Sequence, residues 1–157
     1  MTDTEVFIGR TLGRCRRVAA GAEELVPLLA DVMPFNGEDL AALNLMQRTA
    51  ATAFLKRFEQ LQDLVARAVR AIAGWTGVDA GSMTHRDIGD WLEKHGLVSD
   101  AESWMVAVRL RNRLVHEYPI EEQEQVLRLN ESWATMPLLR TITDNLGAYA
   151  EGKGLPS

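Results

Sequence analysis

Residues 38–73, EDLAALNLMQRTAATAFLKRFEQLQDLVARAVRAIA, decide the fold. Neither Gly nor Pro interrupts the run. Leu40, Leu43, Ala50, Phe54, Phe58, Leu61, Val65, Ala68 and Ile72 recur in it at steps close to the helical period of about 3.6 residues. The spacing predicts one long amphipathic helix over Glu38–Ala73, with an apolar stripe that must be covered by other elements.

Working outward, the neighbouring segments carry the same signature. Arg14–Met33 reads as a second helix, ended by Pro34, Asn36 and Gly37, with Pro27 marking a kink or a second start. Beyond Gly74 and Gly77, Thr84-His85-Arg86-Asp87 has the form of a capping box that opens a short helix, and Gly96 after Lys94-His95 supplies its stop. Ser99-Asp100-Ala101-Glu102 repeats the start signal. That next helix is expected to run to about Glu117, because Pro119 biases Tyr118 away from helical dihedrals. A last helix sets Val126, Leu129, Trp133, Met136, Ile142, Leu146 and Tyr149 along one face, with Pro137 as a possible kink, and Glu151–Ser157 follows as a frayed tail. No segment alternates as a strand does. The expectation is an all-α protein: an up-and-down helical bundle of about five helices, in a single domain over residues 1–157.

Composition bounds the function. A chain of 157 residues with 46% hydrophobic and 25% charged residues is long enough to bury a core without staples. Cys15 is its single cysteine, and His85, His95 and His116 are too scattered for a metal site, so neither metal nor cofactor is expected. The start Met1-Thr2-Asp3-Thr4-Glu5 lacks the pattern of a secretory signal, and no apolar run reaches a membrane span, which points to the cytoplasm and away from membranes. A net charge of -5 argues against broad, charge-driven nucleic-acid binding, yet leaves room for a small basic active site.

Such a site is suggested by Arg109-Leu110-Arg111-Asn112-Arg113-Leu114-Val115-His116-Glu117-Tyr118-Pro119. Trp104, Val108, Arg111 and Val115 fall on one helical stripe, which puts a guanidinium among apolar residues and requires a partner or a wet cleft. Glu59 and Asp63, a turn apart on the flank of the long helix, are the expected partners. His116 lies roughly 140° around an ideal helix from Arg111, but fraying before Pro119 would let Arg111, His116 and Tyr118 converge. Imidazole moves protons near neutral pH and guanidinium offsets charge on phosphate oxygens, so the set suits phosphodiester cleavage, and RNA brings its own 2′-hydroxyl nucleophile. The same residues also fit a structural role, with Arg111 a core ion pair, His116 a cation at a helix C-terminus and Tyr118 a packing residue.

The string Arg111-Asn112-x-x-x-His116-x-Tyr118 resembles the R-N-x-x-x-H-x-Y motif of HEPN domains, most closely that of HepT-like ribonuclease toxins. Arg57–Asp63 and Leu92–Gly96 also look like segments of HEPN-like relatives. The resemblance implies an endoribonuclease of a toxin–antitoxin pair, independent of metal and working as a homodimer that joins two motifs in one cleft. Arg111 and His116 would be catalytic, Asn112 would orient the site and Tyr118 would line it. It further implies a nucleotidyltransferase-type antitoxin that transfers adenylate to Tyr118, adding negative charge and bulk to the cleft. A noncatalytic helical partner or substrate-binding subunit of a minimal nucleotidyltransferase is the alternative.

The remaining features read more plainly. Trp75, Trp91, Trp104 and Trp133 are expected as core or interface anchors. His85 and His95 are expected on the surface. Arg10, Arg14, Arg16 and Arg17 form a solvated basic face with a possible contact to RNA, and Cys15 has no role in the sequence reading.

Overall fold

A computed structural model describes all of residues 1–157 and contains five α-helices and no strand. They are α1 (Asp3–Leu29), α2 (Leu45–Trp75), α3 (His85–Lys94), α4 (Ala101–His116) and α5 (Glu122–Gly152), with short 3-10 turns at Leu40–Ala42 and Ala80–Ser82. The bundle expected from the sequence is therefore present, with some boundaries moved. None of the helices is long and apolar enough to cross a membrane.

Capping explains the shifts. α1 begins eleven residues earlier than Arg14, because Thr2 and Glu5 close a capping box around its first turn, and it continues through Pro27. α2 begins later than Glu38: Asn44 and Gln47 exchange hydrogen bonds in a second capping box, which leaves Leu40 and Leu43 in the preceding 3-10 turn. The box at Thr84 and Asp87 opens α3 as the sequence predicted, and Gly96 ends it at φ +71°, a conformation that favours glycine. Asp100, rather than Ser99, caps α4 by accepting from Ser103 N–H at 2.8 Å. α5 stays helical through Pro137.

Cross-helix pairs give the directions. Gly21 faces Arg57 across α1 and α2, while Thr2 and Phe7 share a cavity with Arg70 and Trp75, so these two helices run antiparallel. Glu93 accepts from Ala101 N–H at 2.9 Å and Trp104 donates to the His85 carbonyl at 3.0 Å, which sets α3 against α4 in an antiparallel hairpin. Arg113 meets Glu131 on α5, and Glu23 of α1 meets Arg140 further along it. The connection after α1 is pinned to α5 by Asn130, whose side-chain amide accepts from Phe35 N–H and donates to the Phe35 carbonyl.

One cluster of 33 buried residues draws on all five helices, so the core is continuous. Phe54 and Phe58 of α2, Trp104 of α4 and Leu129 of α5 are among its largest fully buried side chains. Trp91 and Trp104 are buried and Trp133 stacks on Phe54 with ring centroids 5.3 Å apart, whereas Trp75 is exposed at the end of α2. Cys15 is fully buried, and desolvation pushes its thiol pKa up to about 12.

The chain does not fray after Glu151. α5 extends to Gly152, Gly154 turns at φ +76°, and Leu155 is buried with its N–H donated to the Ala150 carbonyl at 2.9 Å. Leu155, the fifth of the seven residues expected to fray, has a place in the core, and Gly154 turns the chain toward it.

Candidate functional site

Arg111 follows Trp104 and Val108 along the α4 face that packs on α2. Its Nη2 donates to Asp63 Oδ2 of α2 at 2.9 Å, and its Nη1 reaches Asn112 Oδ1 at 3.3 Å. The Arg111 side chain is 22% exposed and Asp63 41%, so the pair stands at the wet rim of the α2–α4 contact and not inside the core. Glu59 does not join it. One helical turn from Asp63, its carboxylate points instead to Lys56 Nζ at 3.3 Å.

His116 is the last residue of α4 and is exposed. It lines an open depression of about 520 Å³ with Arg109, Asn112, Arg113 and Glu117, none of them apolar. The flanking guanidiniums are themselves held, Arg113 by Glu131 and Arg109 by Glu102, whose carboxyl the Arg109 hydrogen bond keeps below its ordinary pKa. Asn112 is the link between the two halves of the motif: it touches Arg111 and lines the depression of His116.

Tyr118 lies in the connection to α5 and is 88% exposed. It borders a different cavity, of about 390 Å³, together with Leu40, Leu55, Leu114 and Pro119. The expected convergence of Arg111, His116 and Tyr118 therefore does not occur within one chain. The helix does not fray where it was expected to: Arg128 of α5, itself buried, donates to the carbonyls of Arg113 (3.0 Å) and Glu117 and pairs with Glu124 and Glu117. A guanidinium on the orphan carbonyls holds the last turn helical, and an intact turn keeps Arg111 and His116 on different faces.

No protein-family model, curated protein or solved structure matches this chain. No three His, Cys, Asp or Glu side chains are gathered as a metal cage would need.

Two further residues, His85 and Arg70, lie close to Arg111 without any signal in local sequence spacing. Trp104 binds the His85 backbone and its ring lies 6.5 Å from the half-buried His85 imidazole, which is brought near the Arg111–Asp63 pair. Burial first, and then the charges of Arg70 and Arg111, hold the His85 pKa below its ordinary value, while Asp63 opposes them. Its Nδ1 is buried without a partner. Arg70 of α2 donates to the Met83 carbonyl at 3.3 Å, two residues before His85. Only the α3–α4 hairpin brings His85 here, and no local spacing in the sequence signals it. Arg128 was equally hidden, one position from the buried Leu129 of α5.

The arrangement can neutralise a phosphate at Arg111 and can move a proton at His116, from two adjoining faces joined by Asn112. Tyr118 presents a free hydroxyl to any partner that approaches the end of α4.

Proposed function

We propose that the protein is a HepT-like toxin of a toxin–antitoxin pair, a metal-independent endoribonuclease of the cytoplasm that works as a homodimer. The observation that carries this reading is Arg111 held at a solvent-exposed rim by Asp63, with Asn112 connecting it to an accessible His116. In the reaction the ribose 2′-oxygen attacks the adjacent phosphorus and loses its proton, while the 5′-oxygen of the next nucleotide leaves and gains one. The products are a 2′,3′-cyclic phosphate and a 5′-hydroxyl, and no metal is needed to generate the nucleophile. Arg111 offsets the charge on the phosphate oxygens, and His116 accepts or donates one of the two protons. Because Arg111 and His116 face different ways in one chain, a second copy that brings its own His116 toward this Arg111 completes the site.

Tyr118 fits the same reading as the point of control. Its exposed phenol can attack the α-phosphorus of a nucleoside triphosphate held by a nucleotidyltransferase antitoxin, with pyrophosphate leaving. The phosphodiester so formed adds negative charge and bulk at the end of α4 and repels RNA.

The separation of Arg111 and His116 also favours one alternative, a noncatalytic partner of a nucleotidyltransferase in which Tyr118 and the end of α4 form the contact. Cleavage of total RNA in EDTA decides between them. Wild type is expected to cut, and His116→Ala to lose cutting by at least a hundredfold with an unchanged thermal melt. An inactive wild type, or an active His116→Ala variant, would overturn the ribonuclease reading.

A further inference from the structure

The charges of this acidic protein are sorted by helix. Every arginine of α3, α4 and α5 meets a carboxylate: Arg86 and Arg109 share Glu102, Arg111 has Asp63, Arg113 has Glu131, Arg128 has Glu124 and Arg140 has Glu23. No arginine of α1 or α2 does. Arg48 and Arg70 are bound to the Leu43 and Met83 carbonyls, which leaves Arg10, Arg14, Arg16, Arg17, Arg57 and Arg67 without an anionic partner on one hairpin. With 22 acidic residues available, such a gathering of unpaired like charge repels itself and raises a local positive potential.

The geometry turns part of that surface into a groove. Arg10, Arg14 and Arg17 follow one another along a single stripe of α1. The next position on that stripe is Gly21, and Arg57 of α2 lies across it: a Cβ there would stand 3.0 Å from Arg57 Nε. Arg16 leans away, toward Gly147 of α5. Between the two helices an open cavity of about 200 Å³ is lined by Arg14 and Val18 of α1 and by Gln60, Asp63, Leu64 and Arg67 of α2. Asp63 is the carboxylate that holds Arg111, so the groove opens at the same residue that positions the phosphate-binding guanidinium of α4.

We infer that the α1–α2 groove, lined by Arg14 of α1 and Arg67 of α2, binds the phosphodiester backbone of single-stranded RNA and leads it to Arg111. The inference rests on the ribonuclease reading for its choice of ligand. Arginine forks match phosphate oxygens in pairs, and Gln60 adds an amide that can donate to the same group. Asp63 does not block the path, because its charge is already answered by Arg111. The acidic remainder of the surface restricts binding to this track.

The test uses a fluorescein-labelled single-stranded oligoribonucleotide, fully 2′-O-methylated so that it lacks the nucleophile and cannot be cut. Binding is followed by anisotropy over a range of salt. The Arg14→Gln/Arg67→Gln double variant is expected to bind at least tenfold more weakly and to lose salt dependence by roughly 0.7 per phosphate contact removed. Arg86→Gln/Arg140→Gln, taken from outside the hairpin, is expected within twofold of wild type. Equal binding by the first double variant, absence of binding by wild type, or preferential capture of a poly-glutamate peptide by the same arginines would overturn the proposal. Cleavage is measured separately. Binding that depends on Arg14 and Arg67 in a protein that does not cut supports the groove and removes the ribonuclease, whereas cutting with binding indifferent to both residues keeps the ribonuclease and removes the groove.

Discussion

Between Asp63 and Asn112 the Arg111 guanidinium keeps enough exposure that its ion pair contributes little to folding, since pairs in partial contact with water are worth about 1 kcal/mol or less. Its aliphatic stem continues the stripe of Trp104 and Val108, both in the core. Arg111→Met keeps that stem and is expected to melt within about 1 kcal/mol of wild type while abolishing RNA cleavage. A loss of several kcal/mol in a urea titration would instead make Arg111 a structural core residue. Asp63 was legible as the partner of Arg111 because helical spacing puts it on the flank of the α2 stripe. Glu59 sits on the same flank, and only the position of Lys56 one turn before it decides that it pairs locally. His85 was out of reach for a different reason: its approach to Arg111 is a property of the α3–α4 hairpin and leaves no trace in local spacing.

At the scale of elements, the end of α4 depends on α5. Arg128 answers the last carbonyls of α4 and is the buried member of pairs whose acids are largely exposed, so its removal leaves orphan acceptors at the helix terminus. Arg128→Met is expected to destabilise the protein by about 2–3 kcal/mol. It should also raise amide hydrogen exchange at Val115, His116 and Glu117 ahead of the rest of α4, and wild-type exchange there would show that another group holds the turn. Helix existence was readable from apolar period, but two starts were misplaced in opposite directions, because the apolar pattern runs past the cap of α2 and sets in only after the cap of α1. Leu40 and Leu43 keep the phase of α2 although Asn44 begins it, and Thr2 with Glu5 starts α1 well before its most regular stretch. Where a cap and a break coincide, as at Thr84 and Gly96, the sequence and the structure agree.

The whole molecule is closed by its last residues. α5 returns antiparallel to α1, which brings the end of α5 back toward the first turns of α1. Gly154 reverses the chain, the Leu155 N–H satisfies the Ala150 carbonyl, and the Leu155 side chain joins the cluster that contains Ile8 and Leu12, while Pro156 comes to rest over Gly9, where a Cβ would stand 2.7 Å from it. A sequence ending in Glu-Gly-Lys-Gly-Leu-Pro-Ser has the composition of a loose tail, and one leucine after a left-handed glycine is too short a signal to show that it docks. The consequence is measurable. Leu155→Ala removes a buried side chain from a continuous core and is expected to lower the unfolding free energy by about 2–4 kcal/mol, with an unchanged denaturant slope because the same surface is exposed on unfolding. Gly9→Ala adds a methyl group at the same closure and is expected to destabilise by about 1–3 kcal/mol through crowding against Pro156. If both variants unfold within about 0.5 kcal/mol of wild type, a spread typical of surface substitutions, the last turn is an appendage and the bundle is closed by its five helices alone.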